Sequence, residues 1–158
     1  MAGYNEITKS RRTCERQSAD AFKNHLYLQE EITMKKISTT NAPAAIGPYC
    51  QGMVVGNLVF SSGQIPVDPA TGEVAGPTIE EQAEQSCKNV KAVLEEGGSS
   101  LEKVIKTTCF LADMADFAAF NAVYAKYFVN TPARSCVAVK ALPKGVLCEV
   151  EAIACIED

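Results

Sequence analysis

Arg134 and Glu149 are the side chains of this 158-residue chain whose type and setting best suit chemistry. Arg134 stands in Thr131-Pro132-Ala133-Arg134-Ser135-Cys136, where a loop runs into a strand and a proline fixes the approach. A guanidinium there offers a planar, permanently charged fork for a carboxylate held by two hydrogen bonds. Glu149 lies in Cys148-Glu149-Val150-Glu151-Ala152, an acid inside an apolar strand, with the parity of Leu147 and Ile153. A carboxylate on a face that ought to be covered needs a partner or a task. The tight turn Pro143-Lys144-Gly145 joins the two strands, so the pattern predicts that Arg134 and Glu149 are near neighbours. They would form either a structural ion pair or an anion anchor beside a group that handles protons or water. Glu151 shares the parity of Glu149, and spacing does not choose between them.

Lesser candidates surround these two. Tyr49 follows Gly47-Pro48, and Ser61-Ser62-Gly63-Gln64 closes a hairpin where a glycine after a serine can expose backbone N–H groups. Asn121 falls within a helix, a place more often surface than site. Cys136 lacks a companion base, so it reads as a small strand residue rather than a nucleophile.

Composition removes many alternatives. One histidine (His25) cannot support a His-dependent triad, a Cys/His zinc site or a facial-triad iron site. A net charge of −4 and a pI of about 5.1 recommend neither nucleic acid nor an anionic membrane. No apolar run approaches the roughly 20 residues that span a bilayer. The seven cysteines are odd in number and contain no C-x-x-C, which points to free thiols in a reducing, cytoplasmic compartment.

The elements that must position these residues begin at Met34. Residues 1–33 are polar, with five basic and five acidic side chains and no apolar core of a secretory signal. They read as a disordered or weakly helical extension, or as an artefact of the start site. Residues 34–158 then form one domain that carries the whole −4 and contains no histidine. Strands are expected over Lys36–Thr39, Gln51–Val55 and Leu58–Ser61, the last two closed by the two-residue loop Gly56-Asn57. A capping box, Thr78-x-x-Glu81, opens a first helix with Ile79, Ala83, Cys87, Val90 and Leu94 on one face, and Gly97-Gly98 ends it. Val104–Ala112 reads as a strand. A second helix follows over about Asp116–Phe128, then strands over Arg134–Lys140 and Val146–Ile156, the last the longest. The order is βββαβαββ, an α+β pattern. Two helices cannot cover both faces of such a sheet. Yet the strands are apolar on both parities, Val104 and Phe110 on one and Ile105, Cys109 and Leu111 on the other. The expected cover for the second face is another copy of the chain.

Four ordered segments resemble the RidA (YjgF/YER057c/UK114) family of imine deaminases. They are Asn41–Tyr49, Ser61–Pro66, Pro132–Val137 and Glu149–Ala154, and the resemblance runs from about Met34 to Ile156. It implies a chorismate-mutase-like fold with two helices on one face of the sheet, assembled as a homotrimer with a ligand pocket between each pair of subunits. It also implies hydrolysis of 2-imino acids and their enamine tautomers to 2-oxoacids and ammonia, with no cofactor and no metal. By this resemblance Arg134 grips the substrate carboxylate and Glu149, rather than Glu151, orients or activates water. Tyr49, Ser62, Gly63, Asn121 and Cys136 match pocket positions, Cys136 partly through its backbone. Two rivals attach to the same fold: a non-catalytic trimer that senses 2-oxoacids, and a ribonuclease or translation inhibitor. The chain departs from the family at Val129-Asn130-Thr131, a shorter connection than in many members, and at Cys148, where an aliphatic residue is usual.

Overall fold

The computed structural model describes residues 32–156, so the expectations for residues 1–31 lie outside the described residues. Local chemistry sets the first three strands: β1 (Met34–Ile37), β2 (Gly52–Val55) and β3 (Leu58–Ser61). Gly56, at φ 57°, takes the left-handed conformation that the β2–β3 turn requires. The first helix, α1 (Ile79–Glu96), starts at the predicted box. Thr78 Oγ1 accepts from the Glu81 backbone N–H at 3.3 Å, and Glu81 Oε2 accepts from the Thr78 N–H at 3.1 Å. Its far end tolerates no side chain at Gly97, where a Cβ would come within 2.8 Å of Val59.

The remaining elements are β4 (Val104–Leu111), α2 (Phe117–Tyr127), β5 (Ala133–Ala138) and β6 (Cys148–Cys155). All six strands form one mixed sheet in the order β1-β2-β3-β6-β4-β5. Both helices lie on one face, so the fold is the expected α+β arrangement with βββαβαββ order. The core fills that layer: Val59, Cys109, Leu111, Cys148 and Val150 from the sheet against Ala83, Cys87, Val90, Leu94 and Phe120 from the helices. Each fully buried aliphatic or aromatic side chain contributes about 1.5–3 kcal/mol.

Four expectations are corrected. The first strand runs Met34–Ile37 rather than Lys36–Thr39, and its partner is Gly52–Val55 of β2. β5 stops at Ala138, and β6 begins at Cys148 because Pro143–Gly145 forms a 3₁₀ turn. β6 equals β4 in length, at eight residues each. The parity of β4 breaks at a bulge, with Val104 opposite Ala154 but Lys106 opposite Ile153. The extra residue, Ile105, puts Val104 on the helix side with Cys109 and Leu111 and leaves Phe110 on the other.

Among the described residues, none covers the second face of the sheet. Phe60, Ile105 and Val137 are 37%, 47% and 46% exposed on or beside it. Among them sits a depression of about 110 Å³ lined by Phe60, Lys106, Thr108, Glu151 and Ile153.

Candidate functional site

Arg134 is the second residue of β5 and lies opposite Thr107 of β4, on the helix side of the sheet. Its Nη1 donates to Asn121 Oδ1 at 2.7 Å. Its guanidinium carbon stands 4.7 Å from the Tyr124 ring centroid and 5.6 Å from that of Phe117. Tyr124 is itself anchored, its hydroxyl 2.7 Å from Thr107 Oγ1 and its ring stacked on Phe128 at 4.4 Å. Helix α2 thus supplies an amide hook and an aromatic shelf that aim the guanidinium, with a cation–π attraction as part of the hold. No acidic side chain pairs with Arg134 among the described residues; the two ion pairs there, Glu84–Lys88 and Lys91–Glu95, both belong to α1. Cys136 lies on the same side, opposite Cys109. Burial pushes its thiol up despite the nearby Arg134 charge, which suits a packing residue rather than a nucleophile.

Glu149 belongs to a second group. It lies opposite Phe110, on the uncovered face. Its carboxylate occupies the space a side chain at Gly63 would need: a Cβ there would fall 1.8 Å from Glu149 Oε1. The neighbouring Gln64 pairs through its backbone with Val150, N–H to O at 2.8 and 3.2 Å, which holds Gly63 against Glu149. Ser62 Oγ donates to the Cys50 carbonyl at 2.6 Å, tying the same loop to the segment of Tyr49. Tyr49 and Gly63 share the wall of a crevice of about 50 Å³ with Ile46, Gln64 and Lys144. Burial, and then the like charge of Glu151, raises the Glu149 carboxyl above its ordinary value.

The expected contact between Arg134 and Glu149 is therefore not made within one chain. β5 pairs in parallel with β4 rather than with β6, and β4 lies between them. The two residues are separated by two strand spacings, about 10 Å, by three positions along β4, and by the sheet itself. The structure brings together Asn121, Arg134 and Cys136 on one side and Tyr49, Ser62, Gly63 and Glu149 on the other.

Buried amides that the sequence reading passed over hold the loops of the second group. Gln51 Nε2 lies 2.8–3.0 Å from the carbonyls of Thr39, Ala42 and Pro43, and its Oε1 accepts from the Thr39 N–H at 2.7 Å. Asn89 donates to the carbonyls of Ile65 and Val67, and Gln82 accepts from the Leu147 N–H. Gln82, Ser86 and Asn89 follow one another at helical spacing beside the apolar stripe of α1. A polar line inside a buried stripe is the sequence signal that could have revealed them. Among the described residues no His, Cys, Asp or Glu side chains cluster as metal ligands, and no helix is long and apolar enough to cross a membrane.

Comparison with known proteins gives these positions a family. The sequence profile of the family described as Endoribonuclease L-PSP matches residues 39–156. The 2-iminobutanoate/2-iminopropanoate deaminase of Salmonella typhimurium is 53% identical over 124 residues, covering 76% of this chain and 96% of that protein. A Lactococcus lactis protein provisionally named as a regulator, AldR, is 55% identical over 122 residues, 77% of this chain and 97% of its own length. The crystal structure of Escherichia coli TdcF with bound serine superposes with a TM-score of 0.75 at 48% identity, over 78% of this chain and 99% of that one. The chain belongs to the Endoribonuclease L-PSP family, that of the RidA/YjgF proteins.

Proposed function

We propose that this protein hydrolyses reactive 2-imino and enamine acids to 2-oxoacids and ammonia, as a homotrimer whose pockets lie between subunits. The observation that carries this reading is Arg134, a half-buried guanidinium aimed by Asn121, Tyr124 and Phe117 and left without an acidic partner among the described residues. Such a group is prepared for an incoming carboxylate. The name of the Salmonella relative supports the reaction, and the serine in TdcF supports a small amino-acid-like ligand.

In the scheme, Arg134 holds the substrate carboxylate by two hydrogen bonds. Water adds to the C=N carbon of the iminium and gives up one proton to the Glu149 carboxylate, leaving a neutral carbinolamine. Its hydroxyl proton passes to the nitrogen, the C–N bond breaks, and ammonia leaves as the carbonyl forms. Glu149, with its carboxyl raised by burial, is placed to orient the water and relay that proton. Tyr49, Ser62 and Gly63 wall the same half-site, and the Cys136 backbone lies beside the carboxylate.

Because the Arg134 and Glu149 groups face opposite sides of one sheet, a complete pocket requires Arg134 from one copy and Glu149 from another. The uncovered face, with Phe60, Ile105 and Val137, is the surface such an assembly would bury. Free thiols at all six described cysteines accord with a cytoplasmic setting.

The test is formation of 2-oxoacid from imino acids generated in place by an amino-acid oxidase. Loss of a charged hydrogen-bond partner costs about 1.5–3 kcal/mol. Arg134→Ala should therefore lower kcat/KM by roughly ten- to a hundredfold, and wild-type turnover in that variant would defeat the mechanism. A second reading, a 2-oxoacid-sensing trimer, draws on the regulator's name borne by the Lactococcus relative. Calorimetric binding of 2-oxobutyrate without turnover would favour it. The family's ribonuclease name fits this chain poorly, since the pI is about 5.1 and residues 34–158 contain no histidine to act as a base.

A further inference from the structure

We infer that Asn130 is a positioning residue, a register lock that keeps Arg134 on the helix side of the sheet; the inference rests on the role proposed for Arg134. Among the described residues β5 is an edge strand joined only to β4, in parallel, and parallel pairing has no hairpin turn to set its register. A slip of one residue would carry Arg134 to the opposite face, away from Asn121 and the Tyr124 ring. Something ahead of β5 must therefore fix the pairing of Lys106 with Ala133.

Asn130 does this with its side chain. Its Nδ2 donates to the Glu102 carbonyl at 3.0 Å and to the Val104 carbonyl at 2.7 Å. Val104 is the last β4 residue before the bulge at Ile105, and β5 begins to pair immediately after it, at Lys106. The amide thus grips β4 just upstream of the first β5 pair. Between the grip and the strand, Thr131 is held at φ 51° with its N–H donating to the Phe128 carbonyl at 3.2 Å. A β-branched residue in the left-handed region is strained and persists only where its surroundings insist on it. The two Asn130 amide bonds supply that insistence, against the extended conformation that Pro132 favours in the residue before it. The lock and the strained turn are coupled, the first holding what the second would release.

Asn130 is largely exposed, so its truncation leaves little cavity and should leave a folded protein. In Asn130→Ala, KM for the imino acid should rise at least fivefold while kcat stays within twofold. Hydrogen exchange at the β5 amides that donate to β4 should quicken at least tenfold. Thr131→Gly accepts a positive φ without strain, so the double variant Asn130→Ala/Thr131→Gly should recover at least half of the lost affinity. Ser99→Ala, which removes a hydrogen bond to the Cys155 carbonyl elsewhere on the sheet, should change melting temperature without changing KM. A wild-type KM together with unaltered exchange in Asn130→Ala overturns the lock, as does a double variant no better than the single one. Should Asn130→Ala fail to fold, Asn130→Ser, too short to reach both carbonyls, should show at least a threefold rise in KM. A wild-type protein without turnover defeats the deaminase reading alone. The lock is then judged by exchange, and unchanged β5 protection overturns it.

Discussion

The two faces of the sheet are finished to different degrees. On the helix side no buried side-chain nitrogen or oxygen among the described residues lacks a hydrogen-bond partner, and the apolar side chains are closed over. On the other side Phe60, Ile105 and Val137 meet solvent, and Glu149 and Glu151 stand two residues apart with no cation paired to either among the described residues. Among the described residues the first face is closed and the second is open. The difference teaches where stability and where function reside. The satisfied amides fix loops, whereas Arg134 at the edge and Glu149 on the open face, without an ion-pair partner among the described residues, are the groups on which the proposed function rests.

The strongest way to break this comparison is to make the open face permanently polar. Phe60→Glu with Val137→Glu should give a folded monomer by sedimentation equilibrium and abolish turnover along with assembly. A wild-type mass and wild-type activity would show that this face is not an interface. On the closed face, Asn89→Ala removes the amide donor from the Ile65 and Val67 carbonyls; Ile65 keeps the Val67 N–H, so the cost falls on the Val67 carbonyl, at about 1–3 kcal/mol. Denaturant unfolding should register that loss while the oligomer of the remaining folded protein is unchanged; a loss below 1 kcal/mol would mean the amide clamp is ornamental. The smallest expected effect is electrostatic. The negative charge of Glu151 opposes ionisation of Glu149, so Glu151→Gln should lower the Glu149 pKa. The acidic limb of the kcat/KM profile should then move to lower pH. An upward shift, or none, would remove Glu151 from the account.

Local devices were legible in the sequence. Gly56-Asn57 announced the first hairpin, Thr78 and Glu81 the start of α1, and apolar spacing the buried faces of both helices. What escaped was non-local. Nothing in Arg134–Lys140 signals that it pairs with β4 rather than with the strand that follows it, because parallel pairing carries no turn signature. The bulge at Ile105 sets Val104 out of parity with the rest of β4, and a single extra residue leaves no mark in an apolar run. The candidate site residues were named through the family motifs, yet their division between two faces was not legible. Alternation describes one strand's sides and says nothing of which strands become neighbours.

The buried thiols bear on the safety of the proposed chemistry. Burial pushes Cys109 and Cys148 to about 12 and raises Cys87 as well. At neutral pH only about one in 10⁵ of the first two is a thiolate, the form that attacks electrophiles. An imine carbon is an electrophile to which a thiolate can add, so a scaffold for the proposed hydrolysis meets that side reaction. Cysteine used as packing, with its reactive form suppressed by the core, would make this scaffold a poor target for the substrate proposed for it.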